Sequence, residues 1–337
     1  MKPMSKWERI EATVHGEPVD RVPFCFWRHY SVQEWSPKRL AELTLALYRK
    51  FDLDMIKLTP TGIYAGQDWG PTIRFSNDDT VYPEWVDAAV VSVDEWKTLP
   101  RLDVTSGALG RELEAIRYLV AGLDEDVPVV MTLYAPLTVA NMLRRTAAER
   151  DRVSQDLREA PRQLHAGLAV IRDVVRDYAL ACLEAGVSGI FLATQMANLD
   201  LLSRAEFEEF GAAYDLPVLE AIAGKSRLTI LHVCRQNVMF DLTAEYPVDV
   251  INWDNHTAAG PSLAQARLRT DKALAGGLSV TTLFEGNEAE VRAEVRAAID
   301  QTDGRGLILT PTCTINARTP EANLRAARQA IEEAELA

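Results

Sequence analysis

Eight short apolar segments, rich in strand-forming residues, alternate along the chain with longer segments of helical periodicity. Most of the eight are continuous apolar runs, which is typical of parallel strands covered by helices on both faces. This alternation predicts the α/β class, and eight strand–helix units fit a (β/α)8 barrel, the TIM barrel. The predicted strands are 22–27, 55–60, 127–134, 189–193, 228–234, 249–254, 273–279 and 306–313. The predicted helices are 37–51, 111–121, 151–185, 204–223, 262–269, 288–302 and 320–336.

Local signals agree with a barrel rather than an open sheet. Ser36 precedes Pro37 and Thr319 precedes Pro320, so each pair predicts an N-cap followed by a first-turn proline. An open, doubly wound sheet ordinarily carries a glycine-rich phosphate turn after its first strand. Residues 28–31, which follow the first strand here, contain no glycine. The barrel is therefore the favoured architecture.

The alternation is interrupted in two places without a sign of a second domain. Residues 61–100 hold aromatic side chains among turn-forming residues and predict a hairpin and loop over the barrel mouth. Residues 141–185 are too long for one simple connection and predict two helices. No linker, repeat or low-complexity tract divides the sequence. We expect one barrel domain over 1–337.

Composition argues against several classes of partner. The formal net charge is -13, whereas proteins that bind nucleic acid usually present a basic surface. No apolar run approaches the roughly 18 residues that a membrane helix needs, and residues 1–11 are too polar for a secretory signal. The four cysteines are widely spaced, which is typical of reduced thiols. We expect a cytoplasmic protein with no nucleic-acid or membrane partner.

The end of the fifth strand carries the strongest chemical signal. His232 and Cys234 are two positions apart, so on a strand they project to the same side. Cys313 ends the eighth strand, and the strand ends of a barrel open onto one mouth. Imidazole nitrogen and thiolate sulfur are preferred ligands of zinc, and three protein ligands leave one tetrahedral position open, as in catalytic sites. The sequence predicts a zinc site made of these three residues.

Two matters stay open on spacing alone. A strand histidine is commonly a satisfied core group, and buried cysteines often behave as small hydrophobic residues. Cys25 and Cys182, which lack nearby partners, fit that second description. The fourth zinc position is open to Asp254, to water or to a substrate.

Other strand ends supply candidate substrate contacts. Arg28 follows the first strand and is suited to holding a carboxylate or phosphate, or equally to a surface ion pair. Tyr134 ends the third strand and Gln195 follows the fourth, and either side chain can hydrogen-bond a substrate or a loop. Gly277 lies at the end of the seventh strand, where a missing side chain allows a ligand to approach closely.

The sixth strand ends with two candidate catalytic residues. Asp254 is a candidate general base, and His256 is a candidate proton carrier. A more cautious interpretation gives Asp254 the task of orienting a metal-binding imidazole.

Several motifs resemble the uroporphyrinogen decarboxylase superfamily nearly from end to end. The family is built on a (β/α)8 barrel, which agrees with the alternation above. The motifs that carry the resemblance are Arg21-Val22-Pro23 with the strand ending at Arg28, Tyr134-Ala135-Pro136-Leu137-Thr138, Asp254, and Thr319-Pro320-Glu321-Ala322-Asn323-Leu324.

The strand ends distinguish between the two branches of this family. The decarboxylase branch carries a second arginine at the position of Val32 and a histidine at the position of Cys313. It also carries an aspartate after the second strand, whereas residues 58–61 of this chain contain no carboxylate. The zinc-dependent methyltransferase branch carries a His-x-Cys motif and a distant cysteine on the fifth and eighth strands. His232, Cys234 and Cys313 match that motif, although the glycine that often follows the first cysteine is Arg235 here.

The resemblance implies methyl transfer between a corrinoid (cobalamin) protein and a small-molecule donor or acceptor such as a thiol. It implies Zn²⁺ as the resident metal, a corrinoid supplied by a partner protein, and a homodimer. Two alternatives remain at this point: a decarboxylase-like lyase acting on a tetrapyrrole, and a non-catalytic protein that binds a corrinoid or tetrapyrrole.

Overall fold

The computed structural model describes residues 2–334 and contains a curled parallel sheet surrounded by helices. Seven strands form this sheet in the order β1-β4-β5-β6-β7-β8-β9, and all neighbours pair in parallel. Two further strands, β2 and β3, form an antiparallel hairpin between residues 61 and 100. The strands are β1 Ile56–Leu58, β2 Thr72–Arg74, β3 Glu84–Asp87, β4 Val129–Tyr134, β5 Gly189–Thr194, β6 Leu228–Val233, β7 Val250–Trp253, β8 Ala273–Leu278 and β9 Leu307–Pro311.

Helices follow the sheet strands and cover the outside of the sheet. The α-helices are Lys6–Val14, Pro37–Phe51, Tyr64–Gln67, Gly107–Ala121, Pro136–Arg144, Val153–Glu159, Pro161–Ala185, Arg204–Phe207, Ala213–Ile222, Phe240–Thr243, Leu263–Arg267, Val280–Glu285, Glu288–Asp300 and Glu321–Glu332. Short 3₁₀-helices cover Gln33–Trp35 and Val93–Thr98, and a π-helical turn covers Glu208–Ala212.

The segment 22–27 closes the ring between the two edge strands of the sheet. On one side, Leu309 N donates to Pro23 O (2.8 Å) and Cys25 N donates to Leu309 O (3.1 Å). On the other side, Asp54 N donates to Phe24 O at 2.9 Å, just before β1. The predicted TIM-barrel fold is confirmed. The segment 22–27, called the first stave below, pairs through a single β-bridge, Phe24 to Leu309, because Pro23 has no N–H to donate.

One predicted helix is confirmed with its bounds, and another is interrupted by a proline. The helix predicted at 37–51 has those bounds, and Ser36 caps it by accepting from Arg39 N at 3.3 Å. The helical pattern at 151–185 is broken before Pro161, which cannot continue a preceding helix but can start a new one, so two helices lie here, as predicted for 141–185.

Two further helix predictions need correction. The helix predicted over 204–223 is interrupted by a π-helical turn at Glu208–Ala212. In a π-helical turn the backbone hydrogen bonds join residues five apart instead of four. Thr319 is not an N-cap, because the last helix begins at Glu321 with Pro320 in the cap position. That helix ends at Glu332, and the predicted end at residue 336 lies outside the described residues.

The length and hydropathy of the helices in residues 2–334 bear on membrane insertion. None of the helices there combines the length and the apolar character that crossing a membrane requires.

A buried carboxylate fastens the first stave to the rest of the ring. Asp54 is fully buried and accepts from Arg9 Nη1 (2.6 Å), Arg21 Nη1 (2.5 Å) and the backbone N–H of Phe24 (2.8 Å). Its three partners therefore lie in the first helix (Arg9), directly before the segment 22–27 (Arg21) and within that segment (Phe24). A carboxylate that lies between two guanidinium groups has its charge compensated, which is the condition for burying it at all.

We predict that Asp54→Ala lowers the free energy of unfolding by roughly 3–5 kcal/mol, because Arg9 and Arg21 both lose a fully buried carboxylate partner and the buried N–H of Phe24 loses its acceptor, although Arg9 keeps its ion pair with Asp20. Urea unfolding followed by circular dichroism measures this. Asp94→Ala is the matched control, since Asp94 is exposed and pairs only with Lys97 at the surface, where such a pair contributes at most about 1 kcal/mol. Equal losses in the two variants would contradict the structural role of Asp54.

Candidate metal centre and substrate cavity

A cavity of about 710 Å³ lies at the carboxyl ends of the barrel strands. Its wall combines residues from the strand ends with Glu84 and Trp85 of the β2–β3 hairpin, so the hairpin region forms part of the mouth. This is the end of the barrel at which TIM-barrel enzymes hold their active sites.

His232, Cys234 and Cys313 come together in the wall of this cavity. The ligand atoms of the three side chains all lie within 4.8 Å of one another, and Cys313 Sγ is 3.8 Å from His232 Nε2. Tetrahedral zinc, with bonds of about 2.0–2.3 Å, holds its ligand atoms roughly 3.4–3.8 Å apart. The arrangement thus suits one zinc ion after a small inward movement of the side chains.

His232 is held in the orientation that a metal ligand needs by Asn252. The two residues are in register on neighbouring strands, and His232 Nδ1 lies 2.6 Å from Asn252 Oδ1. Asn252 Nδ2 donates to Ala275 O at 2.9 Å, which leaves the amide oxygen to face the imidazole. Because that oxygen only accepts, Nδ1 carries the ring proton, and Nε2 of the neutral ring keeps its lone pair on the cavity side.

A hydrogen bond joins the two thiols and shifts their pKa values in opposite directions. The hydrogen bond from Cys234 lowers the pKa of Cys313 well below its ordinary value. The same hydrogen bond raises the pKa of Cys234. The pair therefore already contains one thiolate, which is the form that binds zinc.

Arg235, directly after Cys234, adopts a left-handed backbone conformation. Its φ is +79°, in the left-handed region that glycine enters without steric cost. The Arg235 guanidinium donates to both carboxylate oxygens of Asp151, at 2.6 and 3.0 Å. This bidentate ion pair offsets the strain and keeps the loop that leaves Cys234 in place.

Tyr134 and Gln195 also line the cavity, as expected for substrate contacts. Burial raises the pKa of the Tyr134 phenol, so the hydroxyl keeps its proton. The backbone N–H of Gln195 donates to Thr138 Oγ1 at 2.9 Å, which fixes the backbone of the loop after β5.

Three other predicted residues lie away from this cavity. Asp254, His256 and Gly277 do not line it, because β7 ends at Trp253 and the chain turns away after that residue. Asp254 Oδ1 accepts from His256 N at 3.1 Å, and His256 Nε2 lies 3.2 Å from Gly277 O. The orienting role suggested for Asp254 belongs to Asn252, two positions earlier on the same strand.

The missing side chain of Gly277 serves packing rather than ligand approach. Its φ is +98°, and a Cβ there would lie 2.7 Å from Ala298 Cβ and 2.9 Å from Leu309 Cδ1. Close contact between β8 and the helix Glu288–Asp300 therefore requires glycine.

Arg28 is also absent from the cavity wall. Its guanidinium carbon lies 4.9 Å from the centre of the Tyr30 ring, a cation–π contact, while the neighbours Trp27 and His29 line the cavity. The prediction that Arg28 contacts the substrate at this site is not supported by the structure, because the side chain packs on the tyrosine instead.

Sequence reasoning missed several polar residues of the first two staves. Lys57 of β1 lines the cavity, whereas the sequence pattern predicts it only as part of an apolar strand. His29 Nδ1 lies 3.1 Å from Thr59 O, and burial, together with the charge of Lys57, lowers the pKa of His29 to about 4. A polar residue inside an otherwise apolar strand was the signal that could have identified Lys57.

Glu34 is a buried acid next to the cavity. Its carboxylate accepts from both the backbone N–H and the hydroxyl of Thr61, which lines the cavity. Burial raises the pKa of Glu34 to about 8, and the nearby Glu112 adds to this effect. Glu34 is therefore mostly protonated at neutral pH.

The chain matches the family model described as uroporphyrinogen decarboxylase (URO-D) over residues 5–334. It is similar to methylcobamide:CoM methyltransferase MtaA of Methanosarcina barkeri strain Fusaro, at 26% identity over 96% of this chain and 97% of the relative. It is also similar to methylcobamide:CoM methyltransferase MtbA of Methanosarcina mazei, at 22% identity over 94% of this chain and 95% of the relative.

Solved structures show the same fold. A methyltransferase from Methanosarcina mazei superimposes with a TM-score of 0.83 at 23% identity, covering 98% of this chain and 99% of that one. A B12-independent methionine synthase from Shewanella sp. has a TM-score of 0.59 at 16% identity, covering 88% of each chain.

We predict that Asn252→Ala weakens zinc binding by roughly 10- to 100-fold, because the imidazole of His232 loses the acceptor that fixes its tautomer and orientation. Competition with a chromogenic chelator measures the affinity. Asn77→Ala, at an exposed asparagine of the hairpin loop, serves as the control. Unchanged zinc affinity in Asn252→Ala would contradict the positioning role.

We predict that Glu34→Gln becomes increasingly more stable than the wild type as the pH rises. The folded-state pKa of about 8 exceeds the ordinary value of 4.5, so the stabilisation from the protonated carboxyl is present below pH 4.5 and is lost as the pH rises through 8. Glutamine retains the neutral form throughout. Melting temperatures of both proteins between pH 5 and pH 9 provide the measurement, and parallel curves would show that the carboxyl is not held protonated.

Proposed function

The chain belongs to the uroporphyrinogen decarboxylase (URO-D) family, and we propose that it is a zinc-dependent methyltransferase that moves a methyl group between a corrinoid protein and a small molecule such as a thiol. The observation that carries this proposal is the group formed by His232, Cys234 and Cys313 in the cavity wall. The full-length similarity to methylcobamide:CoM methyltransferases supports the same class of reaction.

The three side chains would hold zinc with one coordination position facing the cavity. Zinc bound there supplies Lewis acidity that favours the thiolate form of a thiol substrate. Asn252 keeps Nε2 of His232 available, and the ring of Phe191 stacks on the imidazole at a centroid distance of 5.5 Å. These contacts limit the motion of the His232 imidazole before the substrate binds.

The rest of the cavity binds and shields the small substrate in this proposal. Phe191 and Trp27 supply apolar walls, and Tyr134 and Gln195 supply hydrogen-bonding groups. In the direction toward a thiol, a sulfur–carbon bond forms as the cobalt–carbon bond of the methylcorrinoid breaks. Cobalt keeps the electron pair of that bond, and the thiol proton is released.

The corrinoid partner would dock over the open end of the cavity, next to the β2–β3 hairpin. The four cysteines are all free, which suits a reducing cytoplasm. We place the protein there, as a single domain over 1–337 that forms a homodimer in line with its family resemblance.

The strand ends favour methyl transfer over decarboxylation of a tetrapyrrole. Near β1, the cavity is lined by Lys57, Thr59 and Thr61, with no carboxylate at the position where the decarboxylase branch has an aspartate. Cys313 stands in place of the histidine of that branch.

We predict that the wild-type protein binds about one zinc per chain and that Cys234→Ala and Cys313→Ala lose both the zinc and the activity. Methyl transfer from methylcobalamin to a thiol should fall by about 100-fold or more in each variant. Metal analysis and detection of the methylated thiol provide the measurements.

Cys182→Ala is the matched control, because Cys182 is buried in the core and does not line the cavity. It should retain zinc and turnover. Undiminished methyl transfer in a zinc-free Cys234→Ala protein would refute the zinc mechanism. Release of carbon dioxide from uroporphyrinogen by metal-free protein would favour the lyase instead.

A further inference from the structure

Lys57 is a buried lysine on the cavity wall without a carboxylate partner. Its side chain projects from β1 and is 5% exposed. Its ammonium donates one hydrogen bond, to Thr59 Oγ1 at 3.1 Å, and lies 4.2 and 4.9 Å from the ring centres of Phe191 and Trp27. Among residues 2–334, no acidic side chain forms an ion pair with it.

This arrangement is costly unless another group completes it. An ammonium transferred from water to a protein interior loses several kcal/mol of hydration, and aromatic faces recover only part of that. Burial accordingly lowers the pKa of Lys57 to about 7. The ammonium has three N–H donors and uses one of them within the protein. The other two are available to a molecule in the cavity.

The basic residues that line the cavity lack acidic partners among the described residues. Arg145 and Arg150 line it, and neither forms an ion pair within the part of the chain that the structure describes. The acidic lining residue, Glu84, is already paired with Arg74 at 2.7 Å. A cavity with unpaired cations in a protein of net charge -13 favours an anionic small molecule there.

We propose that Lys57 binds the anionic group of the small substrate and thereby determines which methyl acceptors or donors are used. The shared chemistry is that of a carboxylate, sulfonate or phosphate, each of which accepts hydrogen bonds from an ammonium and supplies the missing counter-charge. The inference rests on the proposed methyl transfer for the identity of the reaction. The binding of the anion itself depends only on the cavity.

A binding experiment tests the anion site without any methyl transfer. Butyrate, propane-1-sulfonate and propyl phosphate are compared with neutral butyramide by ligand-observed NMR titration of the zinc-loaded protein. We expect the wild type to bind at least one anion roughly 10- to 100-fold more tightly than butyramide, and the strongest of the three identifies the anionic class.

Lys57→Met should remove that preference, because methionine fills similar space without charge. Lys97→Met is the matched control, since it makes the same change of charge at an exposed lysine and should retain the preference. Equal binding of the anions and butyramide by the wild type would overturn the proposal whether or not Lys57→Met folds. A preference that persists in folded Lys57→Met would also overturn it.

A kinetic experiment then connects the site to the reaction. The rates of methylation of 3-mercaptopropionate and of 3-mercaptopropionamide by methylcobalamin are compared. Lys57→Met should lower kcat/KM for the carboxylate by roughly 10- to 100-fold, mainly through KM, and leave the amide within about threefold. Equal effects on both thiols would refute a role in recognition. Anion binding without methylation of either thiol would instead leave the Lys57 site standing and refute the proposed function.

Discussion

The closure of the parallel ring is the constraint on which the rest of the structure depends. The first stave is held by backbone hydrogen bonds to Leu309 on one side and by Asp54 on the other. With the ring closed, all strands end at one rim, and β6 and β9 bring His232 and Cys313 together across 81 positions of sequence. A slip of one position in β6 would turn His232 away from the cavity, since alternate residues of a strand face opposite sides.

One side-chain amide then determines what the histidine can do. Asn252 stands in register with His232, and its own donors are committed to acceptors such as Ala275 O. The imidazole therefore receives an acceptor on its inner side and turns its lone pair toward the two thiols. The hydrogen bond between the two thiols lowers the pKa of Cys313, which favours the thiolate form that a metal cation binds.

The cavity also retains charged and protonated groups that a core selected for stability alone would replace. Lys57 lacks a counter-charge, and Glu34 stays protonated next to Thr61. Such groups destabilise the folded chain and are typical of places where function, rather than packing, selects the residue. The fully paired Asp54, which is not part of the cavity wall, shows the contrast.

The sequence by itself determined the barrel, the residues His232, Cys234 and Cys313, and the family, because strand periodicity and the spacing of side chains along a strand are local properties. It did not determine which neighbours those residues meet. The choice of Asn252 over Asp254, the packing role of Gly277 and the displacement of Arg28 onto Tyr30 arise from where strands end and how they stand in register. The position of Lys57 in the cavity wall could not be predicted for the same reason, since one face of β1 lines a cavity only when the barrel is closed.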